Sequence, residues 1–144
     1  MPKIESGAHY IIANKKGKTV VDLNTVDGTT VIGWSCHGGQ NQQWETIQAE
    51  GGWHIRNVGN GKYLRFEGNV CDGRQAIATL DPFLWHLWPD SEDQNGIRVC
   101  VPNTPQNLDL SDDGNATNGT PVSIWGRWKG TNQVWYFERL HPTH

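Results

Sequence analysis

The side chains that could do chemistry in this sequence occur in two matching sets, one in each half of the chain. Each set contains an aspartate, a tryptophan, an asparagine and a glutamine, in that order. In both sets the tryptophan precedes the asparagine by 7 residues, and the glutamine directly follows the asparagine. Such a repeat predicts an internal structural duplication. The first set is Asp22, Trp34, Asn41 and Gln42, and the second is Asp109, Trp125, Asn132 and Gln133.

An aspartate, an asparagine and an indole together suit a sugar. An ionised carboxylate only accepts hydrogen bonds, whereas a carboxamide both donates and accepts. A hexose presents neighbouring hydroxyls that do both, and an apolar C–H face that can lie against an indole. Two charge-assisted hydrogen bonds and one ring contact, less the cost of association, leave roughly 4–5 kcal/mol, which is a millimolar site. We therefore predict a shallow hexose site that becomes useful through repetition.

Other roles for the same residues stay open at this point. Gln42 and Gln133 could satisfy buried backbone groups instead of touching a ligand. Trp34 could pack in the core instead of lying at the surface. His37, three residues after Trp34, could contact a sugar from an overhanging loop, and Trp128 occupies the same position in the second set.

Short strands and turns must position these side chains. β-branched and aromatic residues alternate with Gly, Asn and Asp turn signals, and no helical period extends over about eleven residues. The pattern predicts an all-β chain of three repeats, approximately residues 8–50, 51–94 and 95–140, in a single domain over residues 1–144. A repeat of about four strands cannot bury a face alone, so the three must pack together. Trp44 and Trp135 are predicted to fill the centre.

The three repeats are not equal. At a near-constant offset, the middle repeat has Phe66 in the place of the aspartate and Thr79 in that of the tryptophan. Trp88 stands near the closing position with no Asn-Gln pair before it, so we predict no sugar site in this repeat. In the last repeat the turn Asp112–Gly119 is four residues longer than its counterpart and could close over the second set. We therefore rank the site in the first repeat above the site in the third.

Composition excludes several classes of function. The chain has 144 residues and a net charge of -3, so no basic surface invites nucleic acid. No run of about 18 apolar residues could insert into a membrane, and the first residues lack the apolar stretch of a secretory signal. Three cysteines without a CxxC motif leave at least one thiol unpaired, which predicts a cytoplasmic location. The scattered histidines predict no metal site, and we expect no cofactor.

Two Gln-x-Trp segments, Gln42-Gln43-Trp44 and Gln133-Val134-Trp135, follow an aspartate and an aromatic residue at similar distances. This arrangement resembles the signature of the ricin B-chain-like lectins. The resemblance extends over nearly the whole chain and is nearest to the small intracellular lectins of mushrooms. It implies a β-trefoil, twelve strands with pseudo-threefold symmetry, that binds galactose or N-acetylgalactosamine.

Carried over residue by residue, the resemblance gives each member of the first set a role. Asp22 would accept hydrogen bonds from two sugar hydroxyls, and Trp34 would stack on the ring. Asn41 would bond a further hydroxyl, Gln42 would brace the pocket from behind, and His37 could add a contact. The possible second site would consist of Asp109, Trp125, Trp128, Asn132 and Gln133.

The sequence thus predicts a binding protein and not an enzyme, since it has neither a GxSxG motif nor a zinc-binding pattern. The predicted function is recognition of terminal galactose or N-acetylgalactosamine, as in β-galactosides of the LacNAc or LacdiNAc type, on glycoproteins or glycolipids, with a role in fungal defence by analogy. Multivalent action requires a homodimer or two working sites. The alternative is a β-trefoil protease inhibitor that acts through an exposed loop, either Asp81–Pro89 or Asp112–Pro121.

Overall fold

The structure, a computed structural model, describes residues 2–141. The chain folds almost entirely into antiparallel strands, so the all-β prediction is confirmed. Helical turns occur at Gln40–Gln42, Ser111–Gly114 (named α1) and Thr131–Gln133. The strands are β1 (His9–Asn14), β2 (Val20–Leu23), β3 (Val31–Trp34), β4 (Trp44–Ala49), β5 (Gly52–Asn57), β6 (Tyr63–Arg65), β7 (Arg74–Gln75), β8 (Ile77–Thr79), β9 (His86–Pro89), β10 (Ile97–Cys100), β11 (Gln106–Leu110), β12 (Val122–Gly126) and β13 (Trp135–Leu140).

Six of these strands close into a barrel. The ring runs from β1 through β4, β5, β9, β10 and β13 back to β1, so each repeat contributes its first and last strands. Strands β5 and β9 meet where Trp53 and Trp85 exchange two backbone hydrogen bonds of 2.9 and 2.8 Å. The hairpins β2–β3, β6–β8 and β11–β12 pair with one another through bridges such as Thr30–Ile77 and cover one end. Closure leaves the barrel without a free edge.

A tryptophan at the start of the last strand of each repeat, or directly before it, fills the barrel. All three indoles are buried, and each N–H donates to a backbone carbonyl in the second strand of its own repeat. A buried indole N–H needs such a partner, so these bonds define equivalent positions in the three repeats. They join Trp44 Nε1 to Val21 O at 3.0 Å, Trp85 Nε1 to Leu64 O at 2.9 Å and Trp135 Nε1 to Leu108 O at 3.1 Å.

Trp85, and not Trp88, closes the middle repeat. Trp88 lies on the outer side of β9 with 54% of its surface exposed. The prediction for Trp88 is wrong because it assumes a near-constant number of residues between equivalent positions of the repeats. The connection before the closing strand differs between the repeats. That connection contains a helical turn in the first and third repeats, whereas the middle repeat passes from β8 to β9 without one.

Arg65, and not Phe66, stands in the place of Asp22. Leu64 accepts the indole hydrogen bond as Val21 does, so the residues that follow them are equivalent. Phe66 lies buried in the core. The sequence comparison is therefore shifted by one residue at this strand.

The segment Asp81–Pro89 is only partly a loop. Its last four residues form β9, and Trp85 and Leu87 are buried in the core. The segment is therefore not one continuous exposed loop, and protease inhibition through its exposed residues stays a prediction.

No helix within residues 2–141 is long and apolar enough to cross a membrane. Over the same residues, no group of three or more His, Cys, Asp or Glu side chains is placed to hold a metal ion. The three cysteines are free, with Cys36 and Cys71 exposed and Cys100 buried.

Trp85→Ala is expected to lower the free energy of unfolding by about 3–5 kcal/mol, because it empties a fully packed position in the barrel. Trp88→Ala on the same strand is the matched control, and it should change the free energy of unfolding by about 0.5 kcal/mol or less. Urea denaturation followed by circular dichroism measures both. Similar losses for the two variants would contradict the assignment of the closing tryptophan.

Candidate functional site

Asp22, Trp34, His37 and Asn41 line one open depression of about 390 Å³ in the first repeat. Asp22 lies in β2 and is 4% exposed, whereas Trp34 ends β3 and is 38% exposed. The carboxylate and the indole therefore face the same space, and the indole has a free surface. The other lining residues are Asn24, Thr25, Val26 and Ile32.

Gln42 holds the Asp22 carboxylate from behind. It is fully buried, and its Nε2 donates to Asp22 Oδ2 at 2.8 Å and to Ser35 O at 3.0 Å. Its Oε1 accepts from the backbone N–H groups of His37 at 2.9 Å and Gly38 at 3.2 Å. The amide thus uses its full bonding capacity within the protein. Asp22 Oδ1 accepts no hydrogen bond from the described residues, so this oxygen is left for a ligand.

His37 presents a donor to the same depression. Its Nδ1 accepts from the Gly39 N–H at 3.0 Å, so the neutral ring carries its proton on Nε2. Nε2 stands 4.0 Å from Asp22 Oδ2. The ring folds over residue 39, where a Cβ would lie 2.7 Å from His37 Cε1, so a side chain at this position would displace the His37 ring. A sugar contact by His37 stays a prediction.

Asp109, Trp125 and Trp128 line a comparable depression of about 320 Å³ in the third repeat. Both indoles are 46% exposed. Gln133 Nε2 donates to Asp109 Oδ2 at 2.9 Å, which repeats the pairing in the first repeat. The longer turn borders the depression and does not seal it. Its lining members are Ser111, Asp112 and Asp113.

Asn132 differs most from its counterpart in the first repeat. It is 3% exposed, because Gly114 of α1 packs against it at a distance that would leave a Cβ only 3.0 Å from Asn132 Cβ. Its Nδ2 donates to Asp109 Oδ2 at 3.1 Å. Asn41 is only partly buried and makes no bond to the aspartate of its own pocket. A direct bond from Asn132 to a sugar stays a prediction.

Burial also changes the acidity of the third-repeat carboxylate. Loss of hydration raises the pKa of Asp109 above its ordinary value of 3.8. The hydrogen bonds from Gln133 and Asn132 favour the ionised form and only partly offset this effect. The nearby carboxylates of Asp113 and Asp72 raise the pKa further.

A buried ion pair stands behind the third-repeat pocket. Arg98 Nε donates to Asp90 Oδ1 at 2.9 Å, and Arg98 Nη1 donates to Gln133 Oε1 at 3.2 Å. The backbone N–H of Trp128 donates to Gln133 Oε1 at 3.1 Å. Two donors on Oε1 turn the Gln133 amide nitrogen towards Asp109. Sequence patterns do not reveal this pair, because its members lie far from the Gln-x-Trp segment along the chain.

The middle repeat replaces the acid and the amide together. Arg65 occupies the aspartate position, and Phe83, two residues before Trp85, occupies the glutamine position. The guanidinium Cζ lies 5.7 Å from the Phe83 ring centroid. Arg65 also donates from Nη1 to two backbone carbonyls at 3.3 Å. A cation over a ring thus stands where the other repeats have a carboxylate bonded to an amide.

Each pocket loop is held by an asparagine that the sequence analysis did not identify. Asn57 Nδ2, at the end of β5, donates to Asn41 O at 3.0 Å, and Asn14 Nδ2, at the end of β1, donates to Asn132 O at 2.9 Å. Val101 occupies the equivalent position in the third repeat. The backbone N–H groups of Asn14, Asn57 and Val101 each donate to the carbonyl of the residue five positions later in the chain. The preceding repeat, whose loop Val101 would brace, has no acid–amide pair. The recurrence of asparagine after two of the three first strands was the available signal.

Comparison with known proteins identifies the family. The family described as ricin-type beta-trefoil lectin domain-like matches residues 3–79 and 40–125. The ricin B-like lectin of Macrolepiota procera, solved in complex with lactose, is 42% identical over 96% of this chain and 100% of that chain, with a TM-score of 0.95. This chain belongs to the ricin-type β-trefoil lectins. The predicted family, the β-trefoil and carbohydrate binding are thereby confirmed for this ricin-type lectin.

More distant structures share the fold of this ricin-type lectin. The Rhizoctonia solani agglutinin is 24% identical over 97% of this chain and 100% of that chain, with a TM-score of 0.86. The Polyporus squamosus lectin is 21% identical over 96% of this chain and 51% of that chain, with a TM-score of 0.76. A comparison with curated protein sequences gave no match.

Asn57→Val is expected to speed hydrogen exchange in the Gln40–Gln42 turn, because it removes the donor to Asn41 O. The bond is largely buried, so the variant should also lose about 1–3 kcal/mol of stability. Asn14→Val is the matched control and should affect the Thr131–Gln133 turn instead. Exchange measured by mass spectrometry on both variants checks the assignment. Equal acceleration of both turns by either variant would contradict a brace that serves one pocket.

Proposed function

We propose that this lectin binds terminal galactose and N-acetylgalactosamine on glycoproteins and glycolipids, with the first-repeat pocket as its main site. One observation carries the proposal. A free carboxylate oxygen of Asp22, the Nε2–H of His37 and an exposed face of Trp34 meet in one depression. The relative from Macrolepiota procera, solved with lactose, supports a β-galactoside as the ligand.

The stereochemistry of galactose fits this arrangement. Its axial O4 leaves the hydrogens on C3, C4 and C5 on one continuous apolar face, which can lie on the Trp34 indole. The O3 and O4 hydroxyls then project from one edge of the ring towards Asp22. Hydrogen bonds from these hydroxyls to an ionised carboxylate are charge-assisted and therefore strong. Glucose carries O4 equatorially and lacks the same continuous face.

The proposal includes two unequal sites on one chain. The third-repeat pocket has the same acid, amide and indole, but α1 covers its asparagine. Two weak sites on one body, or four in a homodimer, can cross-link glycans that one site could not hold. The function is binding, with no catalytic step. We place the protein in the cytoplasm because its three cysteines are free, and assign it a role in fungal defence by analogy with fungal relatives.

Asp22→Asn is expected to weaken binding to lactose by roughly tenfold to a hundredfold, because it removes a charge-assisted acceptor. The amide can still accept from Gln42, so thermal unfolding should stay near that of the wild type. Asp81→Asn, an exposed aspartate in the middle repeat, is the control. Retention on a lactosyl resin measures the effect, and Asp22→Asn with Asp109→Asn should abolish it. Unchanged retention of the double variant would rule out the assigned pockets.

The third-repeat pocket is expected to lose its ligand on mild acidification. The ionised Asp109 accepts hydroxyl hydrogens, and protonation turns its free oxygen into a donor. Because the pKa of Asp109 is raised, this loss begins at a higher pH than the ordinary 3.8 implies. Lactose titrations of the Asp22→Asn variant between about pH 7 and pH 4 isolate the third-repeat pocket. An affinity that stays constant over this whole range would refute the prediction.

A further inference from the structure

The residue that follows the first-repeat pocket tryptophan is held at both of its backbone polar groups. Ser35, directly after Trp34, donates its N–H to Asn118 Oδ1 at 2.8 Å, and its carbonyl accepts from Gln42 Nε2 at 3.0 Å. The Ser35 hydroxyl also donates to Asn118 Oδ1, at 3.0 Å. Asn118 lies in the turn between α1 and β12, so this contact joins the third repeat to the first. A neighbouring repeat therefore fixes the end of the strand that carries the Trp34 indole.

The third-repeat pocket has the same arrangement. Gly126, directly after Trp125, donates its N–H to Asp72 Oδ1 at 2.8 Å, and its carbonyl accepts from Gln133 Nε2 at 3.0 Å. Asp72 lies in the turn between β6 and β7, so here the contact comes from the middle repeat. This turn also lies against the indole, because a Cβ at Gly73 would be 3.3 Å from Trp125 Cζ3.

A glycine after each of these acceptor residues makes a second contact beside the tryptophan. The two pairs are Asn118-Gly119 and Asp72-Gly73. The Gly119 N–H donates to Gly33 O at 2.8 Å, and the Gly73 N–H donates to Ile124 O at 2.9 Å. Both glycines have a positive φ, of 95° and 83°, which glycine adopts without strain. Each pair thus holds the residue before a pocket tryptophan and the residue after it.

The equivalent pair in the first repeat, Asp27-Gly28, makes a different set of contacts. Its turn adjoins the middle repeat, through the bridge between Thr30 and Ile77, and that repeat has no acid–amide pair. Asp27 Oδ1 accepts from the N–H groups of Thr29 at 2.8 Å and Thr30 at 2.9 Å, which belong to its own turn. Within the described chain, the contact between repeats therefore accompanies the two pockets and is replaced by a local one beside the middle repeat.

These contacts connect the indole to the carboxylate of the same pocket. Gln42, which holds the Ser35 carbonyl, also donates to Asp22 Oδ2 at 2.8 Å. A series of hydrogen bonds thus runs from Asn118 through Ser35 and Gln42 to Asp22, and it fixes the position of the Trp34 strand end relative to the acid. A site held in its binding geometry before the ligand arrives loses less entropy on binding.

We propose that Asn118 and Asp72 are positioning residues for sugar binding, Asn118 for the first-repeat pocket and Asp72 for the third-repeat pocket. The inference rests on the proposed function. Neither side chain lines the pocket that it serves, so each acts through the residue after the tryptophan. The acceptor oxygen and not the charge carries this role, since an amide serves one pocket and a carboxylate the other. Each complete pocket is therefore the product of two repeats.

The test isolates each pocket and then removes its acceptor. In an Asp109→Asn background, which leaves the first-repeat pocket, Asn118→Ala is expected to weaken lactose binding roughly threefold to tenfold in isothermal titration at about pH 7. Asn118→Asp keeps the oxygen and should bind lactose within about twofold of the background. In an Asp22→Asn background, Asp72→Ala should cause the same loss at the third-repeat pocket, and Asp72→Asn should restore binding.

A neutral control and a measurement without sugar separate positioning from folding. Asn95→Ala, an exposed asparagine outside both pockets, should leave both affinities unchanged. Asn118 and Asp72 are also exposed, so their variants should melt near the temperature of the background. Amide hydrogen exchange measured by NMR should speed up at Ser35 in Asn118→Ala and at Gly126 in Asp72→Ala.

The outcomes distinguish this inference from the proposed function. Lactose affinity that survives Asn118→Ala and Asp72→Ala would overturn the positioning role and leave the proposed function standing. A loss that Asn118→Asp and Asp72→Asn do not restore, or an equal loss at both pockets from either alanine variant, would do the same. Failure of the wild type to bind lactose would overturn both.

Discussion

The hydrogen bond from the closing tryptophan to the second strand of its repeat both anchors the barrel core and positions the pocket residues. Trp44 holds the carbonyl of Val21, which fixes the backbone immediately before Asp22. Gln42, two residues before that tryptophan, holds the Asp22 carboxylate. The Gln-x-Trp segment thus forms hydrogen bonds with two adjacent residues of β2. It binds the backbone carbonyl of Val21 and the side-chain carboxylate of Asp22. The middle repeat keeps only the hydrogen bond from the closing tryptophan to the backbone carbonyl. It therefore supports the barrel without offering a carboxylate acceptor to a sugar.

The strands, the threefold repeat and the pairing of acid with tryptophan could be predicted because they depend on local alternation and recurring spacing. The errors at Phe66 and Trp88 have one cause, since insertions and deletions in the middle repeat shift positions that a near-constant offset assumes to be fixed. The brace by Asn57 joins different repeats, and no spacing within a repeat reveals it. The packing of α1 on the Asn132 loop depends on Asp112 and Asp113 both adopting φ of 54°, a backbone choice that their residue types permit but do not dictate.

The burial of Asp109 links its ionisation to the stability of the fold. The raised pKa of Asp109 means that the folded protein holds this proton more tightly than the unfolded chain does. The group therefore favours folding below its ordinary pKa, and this contribution is lost as the pH rises through the raised value. At neutral pH the buried, ionised carboxylate destabilises the fold, and the hydrogen bonds from Gln133 and Asn132 partly offset this effect.

The two braces differ in how much chain they enclose. Asn57 and Asn41 are 16 residues apart, whereas Asn14 and Asn132 are 118 apart. A contact between neighbouring segments closes a short loop, and a contact between distant ones requires the two ends of the chain to meet. The Asn14 contact lies where the first strand, β1, pairs with the last strand, β13. The Asn132 loop is therefore braced only while the first and last strands stay paired, whereas the brace of the Asn41 loop needs only neighbouring segments of the chain.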